Sequence, residues 1–176
     1  MDERNFYEYA VKKQNPPLFY IKAAAILLGV FALVAAASAA AIANGVGFLA
    51  ILFIAGGVGF LWYLSRFCAV EYEFTQTEDI FDVAAIYNKQ YRREKLSVDL
   101  RASAKRIAPY GGKTPAGADG AKVYDFRSSP QAQNAYYILF ERDGARGLVL
   151  FDAAPRMIEH LFYQAPSITE RMPTDT

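Results

Sequence analysis

The chain has 176 residues, 53% of them hydrophobic, and its 19 Lys and Arg nearly balance 18 Asp and Glu. None of its Asp, Glu, Lys, Arg or His residues lies between Lys22 and Arg66, an uncharged run of 43 residues that excludes a simple water-soluble globule. One cysteine, Cys68, and one histidine, His160, exclude an intrachain disulfide and a Cys-rich or His-pair metal site, and the near-neutral charge provides no field to gather nucleic acid, so neither a cofactor nor a nucleic-acid partner is expected.

Residues 1–19 form an N-terminal segment carrying Arg4, Lys12 and Lys13. The uncharged run that follows would make a single helix of roughly 65 Å, about twice the ~30 Å hydrocarbon core of a bilayer, so it must cross twice. Asn44-Gly45 is a turn dipeptide near its middle, which gives a two-helix transmembrane hairpin over 20–65, with helices at 20–43 and 46–65. The first holds eight strong apolar residues among many alanines, worth roughly −2 to −5 kcal/mol on an insertion scale; the second holds eleven and should insert more readily. Small residues recur every four positions at Ala32, Ala36 and Ala40, at Ala35, Ala39 and Ala43, and at Ala55 and Gly59. That spacing suits close approach of backbones, either within the hairpin or between two copies of it.

Arg4, Lys12, Lys13 and Lys22 precede the first helix, Arg66 follows the second, and the connecting turn has no base, so both termini are expected in the cytoplasm of a multi-pass cell-membrane protein. Tyr20, Lys22, Trp62, Tyr63 and Arg66 are then the candidate anchors at one membrane interface. Ala37-Ser38-Ala39 also has the form of a signal-peptidase site, but a long leader containing Asp2, Glu3 and Glu8, and a second span directly after it, favour the hairpin.

From Val70 the hydrophobic period changes to two. Strands are predicted at 70–77, 80–87, 91–100 and 103–108; a glycine-rich loop follows over 111–120, and further strands at 122–127, 135–141 and 147–151, the last two joined by Asp143-Gly144. An amphipathic helix starts near Pro155, with Met157, Ile158, Leu161 and Phe162 as its buried stripe. The β domain thus covers 66–165, and 166–176 reads as a flexible polar tail. Together these elements describe a membrane α-hairpin plus a small β domain: a two-sheet barrel or sandwich of about seven strands with a C-terminal helix.

The segments Val70-Glu71-Tyr72-Glu73-Phe74, Arg92-Arg93-Glu94-Lys95-Leu96-Ser97-Val98, Ala108-Pro109-Tyr110 and Leu150-Phe151-Asp152 carry a resemblance to a pleckstrin-homology-like domain. Over nearly its full length the chain resembles a family of small bacterial membrane proteins that join a two-helix hairpin to such a domain. The resemblance brings no catalytic residue with it. In lipid-binding pleckstrin-homology domains the loop between the first two strands supplies bases to phosphates; among the strands predicted here that loop is Gln76-Thr77-Glu78-Asp79, which is acidic.

Charge segregates along the β domain. Glu71 to Asp82 carries five acids and no base, whereas Lys89 to Arg106 carries seven bases and two acids. Arg92, Arg93, Lys95, Arg101, Lys105 and Arg106 are therefore candidate contacts for a lipid head group or a partner, against the alternative of a solvated strand face partly paired with nearby acids. Gly112-Lys113-Thr114 is not a phosphate-binding loop, because Ile107 stands where the first glycine would be and Pro115 where the helix would begin. Cys68 reads as an interfacial residue and His160 as a residue beside the core; no spacing unites them with Ser97 as a nucleophilic site.

The expectation is thus a non-enzymatic integral membrane protein, with the bilayer and a protein partner or second copy as what it contacts. It would present its β domain at the inner membrane surface; the alternative is an anionic-lipid sensor using the basic third and fourth strands.

Overall fold

A computed structural model describes residues 6–66 and 68–170. Its elements in chain order are β1 (Phe6–Lys12), α1 (Pro17–Ala43), α2 (Phe48–Ser65), β2 (Val70–Thr77), β3 (Ile80–Tyr87), β4 (Tyr91–Asp99), β5 (Ala104–Pro109), β6 (Lys122–Asp125), β7 (Ala135–Arg142), β8 (Ala145–Asp152) and α3 (Pro155–Gln164). They form two compact units, the helix pair within 14–69 and a β unit that combines the residues up to 13 with those from 70 onward.

The largest departure from the sequence reading lies at the amino end. Residues 1–19 are not merely a flanking segment, because β1 is the first strand of the β domain and pairs with β2 in antiparallel register from Phe6↔Thr77 to Lys12↔Glu71. The apolar helices are therefore inserted along the chain between two strands that are neighbours in one sheet. Tyr7, Tyr9 and Val11 alternate with Glu8, Ala10 and Lys12, and the first set turns toward the core. The main-chain N–H of Lys13 donates to the carbonyl of Val70 at 2.9 Å, so the two chain ends that lead to the helices are held side by side.

One sheet has the order β1-β2-β3-β4 and the other β5-β7-β8-β6; all pairings are antiparallel except β6 with β8. The described residues thus form eight strands, β1 adding to the about seven predicted, and β5 belongs to the second sheet. Between the sheets lies a core that includes Phe74, Phe81, Val83, Ile107, Ile138, Val149 and Phe151, all fully buried, with Met157 and Leu161 of α3 closing it. Phe151 packs its ring against Phe74 and Phe81 at centroid distances of 5.6 and 5.0 Å. Strand β7 is buried on both faces, because Tyr137 and Leu139 join Leu148, Leu150, Ala108 and Ala118 in a second apolar cluster on the far side of its sheet.

Pro155 stands at the first turn of α3, where its missing N–H costs nothing. The predicted flexible tail is also revised: Ile107 donates to the carbonyl of Ile168 and accepts from the N–H of Glu170, each at 2.7 Å, which seals the outer edge of β5. Buried Thr169 donates to the carbonyl of Ala165 at 2.8 Å. Arg4, the acidic pair Asp2 and Glu3, and tail residues 171–176 lie outside the described residues.

Within the helix unit, α1 and α2 have mean hydropathies of 2.5 and 2.0 and are long enough to cross a membrane. Gly45, at φ +73°, makes the turn between them. Ala41 and Ala50 are buried against the partner helix, and Gly57 lies so close to Val34 that an added Cβ would come within 2.6 Å of its Cγ2. The predicted alanine rows and the Ala55/Gly59 pair are exposed, so they do not form the seam inside the hairpin. The helices meet instead along Val30, Val34, Ala37 and Ala41, a row of three- and four-residue steps in which small residues take only some positions.

Candidate functional site

Strand register determines where each charge lies. One row across the first sheet reads Lys12, Glu71, Ile86, Arg92, and the next reads Lys13, Val70, Tyr87, Tyr91. Lys12, Lys13, Arg92 and Arg93, together with Lys89 in the β3–β4 turn, therefore gather at the end of the sheet where the chain leaves for α1 and returns from α2. At the opposite end is the turn between β2 and β3, with Glu78 at φ +51° and Asp79 accepting the N–H of Leu100 through its main-chain carbonyl at 2.7 Å. The acidic turn predicted as the first interstrand loop is in fact the second, because β1 precedes it; the first connection is the helix pair itself.

The six predicted bases consequently do not form one surface. Arg92, Arg93 and Lys95 occupy the exposed first half of β4, Arg101 lies just beyond the other end of that strand, and Lys105 and Arg106 are on β5 in the second sheet. A register shift at Val83/Ala84 lets Lys95 bulge from the β3–β4 ladder, and its Nζ lies 5.3 Å from the centre of the Tyr87 ring. Lys13 lies 5.8 Å from the Tyr72 ring.

Several bases already have acidic neighbours. Arg92 donates through both Nε and Nη2 to Oε1 of the largely buried Glu73 at 2.6 Å, a bond that holds the guanidinium more firmly in its charged form. Arg101 lies 3.2 Å from Asp79, and Arg106 donates to Glu170 at 2.8 and 2.7 Å, which likewise raises its pKa. No ion pair to Arg93, Lys95 or Lys105 is found among the described residues. Sequence reasoning grouped neighbours in the chain, missing Lys12 and Lys13, which join the basic end only through β1.

The five candidate interface anchors lie on the helix unit. Tyr20 packs edge to face on Phe19, with centroids 5.7 Å apart. Arg66 stacks its guanidinium 4.0 Å above the Trp62 ring one helical turn earlier, and Ser65 donates to the Trp62 carbonyl at 2.7 Å. Tyr63 is exposed on the same turn, and Lys22 lines a groove with Phe19, Leu61, Leu64 and Ser65. Since α1 and α2 run antiparallel through the Val34–Gly57 contact, the start of α1 and the end of α2 bring all five to one end of the pair.

Other polar side chains of the β unit make structural contacts. Arg127 holds Asp125 through Nε and Nη2 at 2.9 and 2.7 Å and spans to the carbonyl of Pro130. Burial opposes ionisation of Asp125, but the hydrogen bonds and charge of Arg127 outweigh it and leave the carboxyl pKa lowered. Buried Asp152 accepts the N–H of Ser128 at 2.9 Å and pins the segment after β6. His160 is half-buried, its ring 5.1 Å from that of Tyr7, so it secures α3 to β1. The Tyr136–Phe140 run is buried sheet core.

Among curated proteins and among solved structures, none matches this chain. The family model described as a bacterial PH-like domain, DUF6106, matches residues 3–170, a span that begins ahead of β1 and ends on Glu170, whose N–H seals β5. That span takes in both sheets, the inserted helices and α3, and the chain therefore belongs to this bacterial PH-like domain family.

Proposed function

We propose that the protein is a non-enzymatic, membrane-anchored interaction module. Its helix pair crosses the cell membrane twice, and its β domain stays at the cytoplasmic surface. The observation that carries this reading is the insertion of two membrane-length helices between hydrogen-bonded neighbours β1 and β2, which gives the domain two adjacent attachment points. Bases at Lys12, Lys13, Lys22 and Arg66, with none in the connecting turn, support a cytoplasmic domain. The exposed edge of β4 over Tyr91–Lys95 is the natural place for a partner strand or a second copy, since β5 is bridged by 168–170, β1 meets α3 through His160, and the remaining edge, β6, is only four residues long.

Topology is tested with Cys68→Ser as background and single cysteines introduced at Asn44 or Glu78. A membrane-impermeant maleimide applied to intact cells should label position 44, and position 78 only after permeabilisation; the reverse pattern overturns the reading. A Tyr91→Cys variant should form a specific cross-link to a partner or a second copy in membranes. A protein that is monomeric in mild detergent and forms no such link defeats the interaction role.

A second reading, contact of the β domain with anionic lipid, is favoured by the basic row at the hairpin end of the sheet. It assigns the contact to Lys12, Lys13, Arg93 and Lys95, and leaves Arg101 and Arg106 outside it.

A further inference from the structure

Among the described residues, two grooves along the helix pair differ in chemistry. The mid-depth groove, about 320 Å³, is lined by Val30, Val34, Leu52, Phe53, Gly57 and Phe60 among others, with no charged or hydrogen-bonding side chain. The second, about 460 Å³, lies where α1 and α2 end, between Phe19, Ala23, Ile26 and Leu27 on one side and Leu61 and Leu64 on the other. Its rim carries Lys22, Ser65 and Cys68.

This groove arises from unequal helix lengths. Helix α1 has 27 residues and α2 has 18, so the first turns of α1 continue beyond the end of α2 and leave an apolar flank uncovered. Two of the three rim side chains direct their donors inward: Ser65 Oγ bonds the Trp62 carbonyl at 2.7 Å and Cys68 Sγ lies 3.8 Å from the Leu64 carbonyl. Asn15, nearby, gives its amide to the Cys68 carbonyl at 2.8 Å. The ammonium of Lys22 is thus the cationic group that this rim offers to an occupant, and it is the last charged side chain before the 43-residue uncharged run.

We infer that the groove is a lipid site that takes one acyl chain of an anionic phospholipid, with the head-group phosphate accepting from Lys22. Charge complementarity selects the occupant: an aliphatic chain satisfies the apolar walls, and a net negative head group satisfies the single base at the mouth. The depth agrees, because Trp62, Tyr63 and Tyr20 surround the same end of the helix pair and such rings prefer head-group depth. The mid-depth groove has no group to distinguish one lipid from another. This inference rests on the membrane-spanning reading, which alkaline carbonate extraction tests separately: a protein extracted as peripheral defeats that reading whatever lipids it binds.

The experiment is a native mass-spectrometric titration of full-length, delipidated protein in mild detergent with phosphatidylglycerol or phosphatidylcholine of equal chain length. The first phosphatidylglycerol should bind about fivefold more tightly than the first phosphatidylcholine, the ratio expected from one base near the head group. K22Q should abolish that ratio, K22R should retain it, and Ala23→Phe should weaken both lipids by filling the groove. R101Q/R106Q serves as the control outside the groove and outside the β domain's lipid-contact bases, and should leave the ratio unchanged. The inference is overturned if K22Q keeps the ratio, if the control removes it equally, or if the groove is occupied by a second copy, seen as a lipid-free dimer that Ala23→Phe dissociates.

Discussion

Gly57 and Gly59 are two positions apart on α2, yet they face different surroundings. A Cβ on Gly57 would press into Val34, whereas Gly59 has open space around it. Gly57→Leu should therefore push the helices apart and cost about 1–3 kcal/mol through overpacking. Gly59→Leu should change stability by no more than about 0.5 kcal/mol. An SDS titration of helical circular dichroism compares them, and equal effects would contradict the Val34 contact. The pair Asp125 and Arg127 offers a second residue-scale test. Because the folded carboxyl pKa is lowered beneath its ordinary 3.8, its stabilising contribution is present above that value and lost as pH falls through the lowered one. Asp125→Asn should thus reduce stability at neutral pH and flatten the acid limb of a denaturation profile below about pH 4. Tyr137 acts at the alkaline extreme. Burial raises its hydroxyl pKa, opposed by Arg106, so stability is retained below the unfolded value near 10 and declines as pH rises through the folded one.

At the scale of elements, the insertion of α1 and α2 between β1 and β2 makes a sharp prediction. Lys13 and Val70 are already hydrogen-bonded across the gap, so replacing 14–69 with Asn-Gly should close an ordinary two-residue β-hairpin. The result should be a water-soluble, eight-stranded domain with cooperative thermal unfolding. A version starting at Val70 lacks β1, exposes the edge of β2 and loses the Tyr7–His160 contact; it should aggregate or lose its near-ultraviolet dichroism. If both versions behave alike, β1 is not integral to the fold. This element also explains what the sequence could and could not disclose. The strands from β2 to β8 and α3 announce themselves through period-two runs, turn residues and Pro155, all local signals. The alternation Tyr7, Glu8, Tyr9, Ala10, Val11 is just as regular, but its partner lies across the helix pair at Tyr72 to Gln76. Residues 168–170 escaped for the same reason, since their β bridge is to Ile107, distant in sequence. The six bases were legible as residues but not as a surface, because a register shift and a change of sheet separate them.

For the molecule as a whole, the β domain has a charge direction that its composition conceals. Lys12, Lys13, Lys89, Arg92 and Arg93 outnumber Glu71, Glu73 and Glu94 toward the end of the first sheet joined to the helices, and Glu78, Asp79 and Asp99 outnumber Arg101 at the other. The lipid-contact reading predicts attraction of the first end to an anionic bilayer and repulsion of the second. The two chain connections, at Lys13 and Val70, lead in from that same end. The soluble domain made by removing 14–69 isolates the electrostatic part of this arrangement. It should bind phosphatidylglycerol vesicles weakly and phosphatidylcholine vesicles hardly at all, with affinity falling as salt rises. At about 1 kcal/mol per base near the surface, R93Q/K95Q should weaken vesicle binding by roughly thirtyfold. R101Q/R106Q removes the same formal charge, but from bases paired with Asp79 and Glu170, and should change binding less than threefold by the weakness of such exposed pairs as lipid contacts. Equal losses from the two double variants would show that net charge alone drives binding, and the directional basis of the lipid-contact reading would fail.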